Sequence, residues 1–141
     1  MIQLENVSVQ AGSFRLDQIS LTIPTGDYGI LMGKTGCGKT TLLEAICGLK
    51  RVVAGKIILG DQEVTQLKPA ERGIGFVPQE GALFATMTVY EQLAFALRIR
   101  RWEEGRIQTR VQHLAELLGI LPILQRLPYG LSGGESQRVA L

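Results

Sequence analysis

One run of eight residues constrains this chain more than any other feature. Gly33-Lys34-Thr35-Gly36-Cys37-Gly38-Lys39-Thr40 fits G-x-x-x-x-G-K-[ST] at every fixed position. Gly33, Gly36 and Gly38 let the backbone bend so that several N–H groups point into one concavity, which suits phosphate oxygens. The flanks supply the context such a loop needs. Tyr28–Met32 is a short apolar run, expected as a strand buried on both faces. Lys39–Cys47 places Leu42, Leu43 and Ile46 on one helical face, with Gly48 as its stop. The N-terminal dipole of that helix favours the same anion. Lys39 is expected to reach the β- and γ-phosphates, the Thr40 hydroxyl to ligate Mg²⁺, and Thr41 to donate to the α-phosphate. Cys37 fills a free position of the motif and needs no redox role; Cys47 is expected in the helix core. The loop decides the ligand and leaves kinases, GTPases and transport ATPases open.

The chain of 141 residues has room for one ordinary domain. Fifteen Lys and Arg against thirteen Asp and Glu give a formal charge of +2, too small an imbalance to make nucleic acid the expected direct partner. Charged residues are 20% and apolar types 45%, which argues against intrinsic disorder. The longest stretch without a formal charge is Gly81–Tyr90, far short of the ~20 apolar residues of a membrane span. Met1-Ile2-Gln3-Leu4-Glu5 does not read as a signal peptide, and Cys37 and Cys47 are too few for a disulfide scaffold. A soluble cytosolic domain is expected. Strands are expected at Ile2–Val9, Phe14–Ile23, Lys56–Leu59 and Gly73–Val77. Helices are expected at Val89–Arg101, opened by a Thr88/Glu91 capping box, at Glu103–Leu118, and from about Gly133 after a Ser132/Glu135 box. The last helix meets no stop signal before Leu141.

Leu131-Ser132-Gly133-Gly134-Glu135, followed by Ser136-Gln137-Arg138, resembles the signature motif of ABC-transporter ATP-binding proteins. It follows the phosphate loop in the family's order. Val77-Pro78-Gln79 is similar to the family's glutamine loop, with Glu71-Arg72-Gly73-Ile74-Gly75-Phe76 leading into it. The resemblance runs from Leu4 to Leu141. It implies an α/β fold: a P-loop NTPase core with an N-terminal antiparallel β region and a helical subdomain, incomplete at the C-terminus. Residues 1–80 would form the β-rich and P-loop core, 81–131 the helical subdomain, and 132–141 the start of the signature helix. ATP and Mg²⁺ are the implied ligands. Gly33, Thr35, Gly36, Cys37, Gly38, Lys39, Thr40 and Thr41 would hold the phosphates. Lys39 and Gln79 would serve catalysis, and Thr40 and Gln79 would approach the metal. Gln79 would also approach the attacking water and sense the membrane subunit. Ser132, Gly133 and Gly134 would face the γ-phosphate held by a second ATP-binding subunit, because the family's domains dimerise head to tail around two ATP molecules. The family stacks adenine on an aromatic residue near the first strand–turn region. Phe14, the only aromatic residue before Tyr28, is the candidate; if the commoner family position falls near Ala11, Phe14 is core. Two lookalikes are set aside. Ile57–Asp61 mimics an apolar strand ending in a Mg²⁺-binding Asp, but Gly60 interrupts it and a surface turn is expected. His113, the only histidine, precedes the signature and is expected on a helix surface.

The family pattern continues with an apolar strand ending in Asp-Glu, a short Asp loop and a switch histidine, and none of these falls within the 141 residues. In the family the Asp holds Mg²⁺ through water and the Glu polarises the attacking water. That strand also belongs in the middle of the parallel sheet, and without it apolar edges are expected to be exposed. The 141 residues alone are therefore expected to be a fragment that does not hydrolyse ATP at a meaningful rate. The short interval from Gln79 to Ser132 leaves no room for the long coiled-coil arm of ABC ATPases in DNA repair and chromosome organisation. Residues Glu80–Arg101 resemble importer ATPases for oxyanions and small solutes, in which this surface receives the permease's coupling helix. Leu83, Phe84 and Met87 fit such a docking patch, core packing being the alternative for each. Gly12–Leu16 and Arg72–Gln79 most resemble molybdate/tungstate-type ATPases, with sulfate-type close behind. The resemblance thus implies the ATP-binding subunit of an importer, coupling ATP binding and hydrolysis to uptake of an inorganic oxyanion. It would be peripheral on the cytoplasmic side of the membrane, through transmembrane permease subunits. A non-transport ABC ATPase associated with nucleic acid and a catalytically inactive nucleotide-binding remnant remain as alternatives.

Overall fold

Alternating apolar residues make Ile2–Ala11 (β1) and Phe14–Ile23 (β2) strands, joined by a two-residue turn at Gly12-Ser13. The computed structural model describes residues 1–79 and 83–141. Val52–Leu59 forms β3 and Gln62–Glu63 forms β4, with Gly60-Asp61 as the turn between them, as expected for the Asp61 segment. The four strands make one antiparallel sheet in the order β2-β1-β3-β4. Leu4, Val7 and Val9 all reach the core although they are spaced by three and then two residues. A register shift between Leu4 and Val7 resolves this: Asn6, at φ 49°, absorbs the extra residue and rephases the alternation. Lys39–Ile46 forms α1, which lays Leu42, Ala45 and Ile46 on the sheet beside Val52, Ile57 and Val64. These elements belong to one compact unit, Met1–Phe76.

Two expected strands do not form. Tyr28–Met32 is irregular, with Tyr28 90%, Ile30 72% and Met32 83% exposed. Gly73–Val77 is irregular as well. A strand buried on both faces exists only through lateral hydrogen bonds and two covering layers, and among the described residues no strand pairs with either segment. The Tyr28 run leans on β2 instead: a Cβ at Gly29 would lie 2.5 Å from Ile23 Cδ1. Gly29, Ile30 and Leu31 border an apolar cavity of about 250 Å³ floored by Leu42 and Ile46.

Val77–Leu141 is a second compact unit, made of helices. α2 (Val89–Ile99) and α3 (Glu104–Leu117) form a hairpin that buries Ala94, Ile107 and Val111 against Tyr90, Leu93 and Leu97. α4 (Gly133–Ala140) buries Val139 with Val89, Ala115, Ile120 and Ile123. The start of α2 is closed twice. Thr88 N donates to Glu91 Oε2 at 2.7 Å while Glu91 N donates to Thr88 Oγ1 at 3.2 Å. Val89 N and Tyr90 N then donate to Arg126 O and Leu124 O at 3.0 and 2.8 Å. His113 is exposed on α3. No described helix is long and apolar enough to cross a membrane.

Candidate functional site

The phosphate loop keeps the bend its glycines were read to permit. Gly36 has φ 80° and Gly38, the residue that caps α1, has φ 94°, a region an L side chain rarely adopts. No side chain caps α1 and its first turn carries no acidic residue. Its leading amides therefore have no side-chain acceptor, and the partial positive charge of the helix end is not offset. Lys39 folds back across the loop, its Nζ donating to Gly33 O and Lys34 O, both at 2.8 Å. Gly33, Thr35, Gly36, Cys37 and Thr40 are exposed, and Gly38, Lys39 and Thr41 half-buried. The concavity is thus open, with an ammonium group across it.

Phe14 stands at the edge of the same site. A Cβ on Gly38 would lie 2.8 Å from two carbons of the Phe14 ring and from Leu16 Cδ2. Glycine is therefore required there twice, by its dihedral angle and by the approach of the ring. Phe14 remains 36% exposed, so one part of the ring packs on the loop and another part is free. Thr40 offers a hydroxyl oxygen beside Lys39. Mg²⁺ ordinarily takes one or two protein oxygens and completes its shell with phosphate and water, so this donor set suits it. Among the described residues no His, Cys, Asp and Glu side chains gather as a metal cluster.

The other predicted residues lie in the second unit. Gln79 is exposed in a turn at its N-terminal edge. Residues 80–82, part of the importer-like stretch Glu80–Arg101 and including Ala82, lie outside the described residues. Leu83 is half-buried and packs with the Val89–Val139 cluster. Phe84 is 49% exposed and packs on Phe95 with the rings tilted by 53° and their centroids 5.0 Å apart. Met87, Phe95 and Ile99 line a groove on α2 with Glu91 and Arg98.

Ser132 caps α4, and Ser132, Gly133 and Gly134 are all exposed. Ser132 Oγ accepts from Glu135 N at 3.3 Å, and Ser132 N donates to Glu135 Oε2 at 2.7 Å. Donation to the Glu135 carboxylate, from the Ser132 backbone N–H first and the Ser132 side chain second, holds that carboxyl below the usual glutamate range. The Ser132 hydroxyl lies beside the first-turn amides of Gly133 and Gly134. A Cβ built on Gly133 would meet no non-neighbouring atom within 4 Å among the described residues, and one on Gly134 only Arg138 Nη1, at 3.7 Å.

Sequence reading missed the role of Arg72. It is buried, 7% exposed, with no carboxylate partner among the described residues. Its Nη1 donates to Ala45 O and Ile46 O, both at 2.8 Å, Nη2 to Thr65 O at 3.1 Å and Nε to Leu67 O at 3.0 Å. The guanidinium thus satisfies carbonyls at the C-terminal end of α1, where cationic donors are favoured. Burial pushes its pKa down, opposed by the neighbouring Cys47. Arg72 clamps the end of α1 opposite the phosphate loop to the segment leading towards Gln79. The only sequence signal was an arginine set before a glycine in an apolar segment.

A family model described as ABC transporter matches residues 16–141. The molybdate/tungstate import ATP-binding protein WtpC of Thermococcus kodakarensis is 38% identical over 141 residues, all of this chain and 43% of that protein. WtpC of Pyrococcus abyssi is 41% identical over 141 residues, again all of this chain and 41% of that protein. The sn-glycerol-3-phosphate import ATP-binding protein UgpC of Yersinia pseudotuberculosis is 43% identical over 126 residues, 89% of this chain and 35% of that protein. The chain thus spans less than half the length of these relatives. Among solved structures, the ATP-binding cassette MJ0796, in a dimeric post-hydrolysis state bound to ADP and Pi, matches with a TM-score of 0.85. It is 26% identical, and the match covers 99% of this chain and 67% of that one.

Proposed function

Since the chain belongs to the ABC transporter family, we propose that it binds ATP as part of the energising subunit of an importer for an inorganic oxyanion. The observation that carries the reading is the start of α1: an uncapped N-terminus at Gly38, with Lys39 held across the bend. A triphosphate replaces the two carbonyls as the partner of Lys39, exchanging neutral acceptors for charged ones, which are stronger. The α1 amides and the amides of Gly36, Cys37 and Gly38 take the remaining phosphate oxygens. Thr35 and Thr41 add hydroxyl donors. Thr40 holds Mg²⁺, which neutralises charge between the β- and γ-phosphates, and Gln79 approaches the same centre. The exposed part of Phe14 stacks the adenine.

Gly133 and Gly134 amides and the Ser132 hydroxyl close over the γ-phosphate of a nucleotide bound to a second ATP-binding subunit. The exposure of these residues supports that role, as does the dimeric state named for the ATP-binding cassette relative. The subunit is peripheral on the cytoplasmic side of the membrane, with Phe84 and Met87 as part of the surface for the permease. The WtpC relatives, which match along the whole chain, support molybdate or tungstate as the solute; the UgpC relative makes glycerol-3-phosphate the rival.

Equilibrium titration of the full-length protein with a fluorescent ATP analogue tests the nucleotide reading. Lys39→Ala is expected to weaken binding on the order of a hundredfold, the worth of a charge-assisted contact to phosphate. Unchanged affinity would remove the proposal. Uptake of molybdate against glycerol-3-phosphate, by the protein reconstituted with its permease, separates the two solutes.

A further inference from the structure

Charge is unevenly spread over the second unit. From Arg98 to Arg110 the chain carries five arginines and two glutamates, whereas the rest of Val77–Leu141 carries two arginines and four glutamates. The excess lies at one end of the α2–α3 hairpin. α3 turns Ile107, Val111 and Ala115 inward, and a neighbouring stripe at helical spacing presents Arg106, Arg110 and His113 to solvent. With Trp102, Glu103 and Thr109 these three line an open cleft of about 460 Å³. The Arg106 guanidinium lies 4.9 Å over the Trp102 ring, and that ring is partly exposed. Arg100 and Arg101 occupy the turn before α3, next to Ile99, which is 66% exposed.

Of the five arginines only Arg98 has a carboxylate partner among the described residues, Glu104 at 2.9 Å. Arg100, Arg101, Arg106 and Arg110 form no ion pair there, and Glu103 offsets one of their four charges. Arg106 and Arg110 share the cleft, while Arg100 and Arg101 lie in the turn before it, so the positive charge extends beyond the lining of a single small-anion site. The four guanidiniums match a layer of fixed negative charge. Trp and an exposed aliphatic residue beside them are the side chains that settle at the headgroup level of a bilayer.

We propose that the tip of the α2–α3 hairpin contacts the membrane surface directly and takes anionic phospholipid headgroups. Arg100, Arg101, Arg106 and Arg110 bind phosphate oxygens, and Trp102 and Ile99 rest at the interface. The contact is independent of nucleotide binding and adds a lipid attachment to whatever the permease provides.

The full-length protein, without permease, is sedimented with phosphatidylcholine vesicles prepared with and without phosphatidylglycerol. Binding is expected only to the anionic vesicles and to weaken as salt is raised. Each arginine near such a surface is worth about fivefold in binding, so Arg106→Glu with Arg110→Glu is expected to lower partitioning by tenfold or more. Trp102→Ala lowers it less. Retained ATP binding reports that a variant is folded; if the helix variant loses it, Arg100→Gln with Arg101→Gln in the exposed turn gives the same reading. Equal binding to neutral vesicles, no binding to either, or anionic binding indifferent to these substitutions overturns the proposal. So does competition by inorganic phosphate at low concentration, which makes this a small-anion site. Charge-dependent capture of an acidic permease segment without vesicle binding overturns it as well.

Discussion

The helices α1 and α4 begin in opposite ways. α1 starts at a glycine with φ 94°, has no capping side chain and no acid in its first turn. α4 starts at a serine whose hydroxyl and whose Glu135 partner close a reciprocal box. Every helix N-terminus has orphan amides and a partial positive charge. At α1 the leading helix amides and the partial charge are left over for a ligand, and an incoming anion displaces the Lys39 contacts to Gly33 O and Lys34 O and the Cys37 N–H bond to Lys34 O. At α4 part of that capacity is taken up within the chain, and an anion there meets the negative charge of Glu135. α4 is thus poorly suited to hold a triphosphate by itself and better suited to complete a site that already has its countercharge, as proposed for the second subunit's nucleotide.

The largest effect should come from removing the feature that opens α1. Gly38→Ala places a side chain at a left-handed dihedral and against the Phe14 ring, a strain of about 1–3 kcal/mol. ATP affinity is expected to fall on the order of tenfold to a hundredfold by calorimetric titration, whereas Ser132→Ala changes monomeric affinity less than about twofold. Equal losses would break the contrast between the two helix ends. Next in size is the far end of α1. Arg72→Ala leaves buried carbonyls without donors and is expected to lower unfolding free energy by about 2–4 kcal/mol, with Arg72→Lys recovering roughly half. Thermal melts of the two variants check this; a melt unchanged in Arg72→Ala contradicts the clamp.

The smallest effect is a pH step confined to α4. Because Glu135 titrates below the usual glutamate range when folded, its contribution is present above the unfolded value. It is lost as pH falls through the lowered folded value. The amide resonances of Ser132 and Glu135 should shift together over that acidic window, with no matching step in the first turn of α1. A Glu135 titration in the ordinary range would show the box is not formed.

What could be read from sequence followed a physical divide. The hairpin of β1 and β2, the helix after the phosphate loop and the caps at Thr88 and Ser132 depend on residues a few positions apart, so local pattern sufficed. Tyr28–Met32 carries the apolar content of a buried strand but is irregular, because a strand needs a hydrogen-bonded neighbour, whose place in the chain local pattern does not specify. Arg72 was legible as part of a family-like segment and invisible as a clamp, since its partners Ala45 and Ile46 lie 27 and 26 residues away.

Glycine spacing, capping pairs and helical periodicity by themselves determined where this chain bends and where it starts its helices, because those are properties of a few adjacent dihedral angles. Only the tertiary structure decided which amides remain free, where Phe14 stands relative to Gly38 and which arginine is buried. Those depend on which distant atoms arrive to compete for the same hydrogen bonds and the same space.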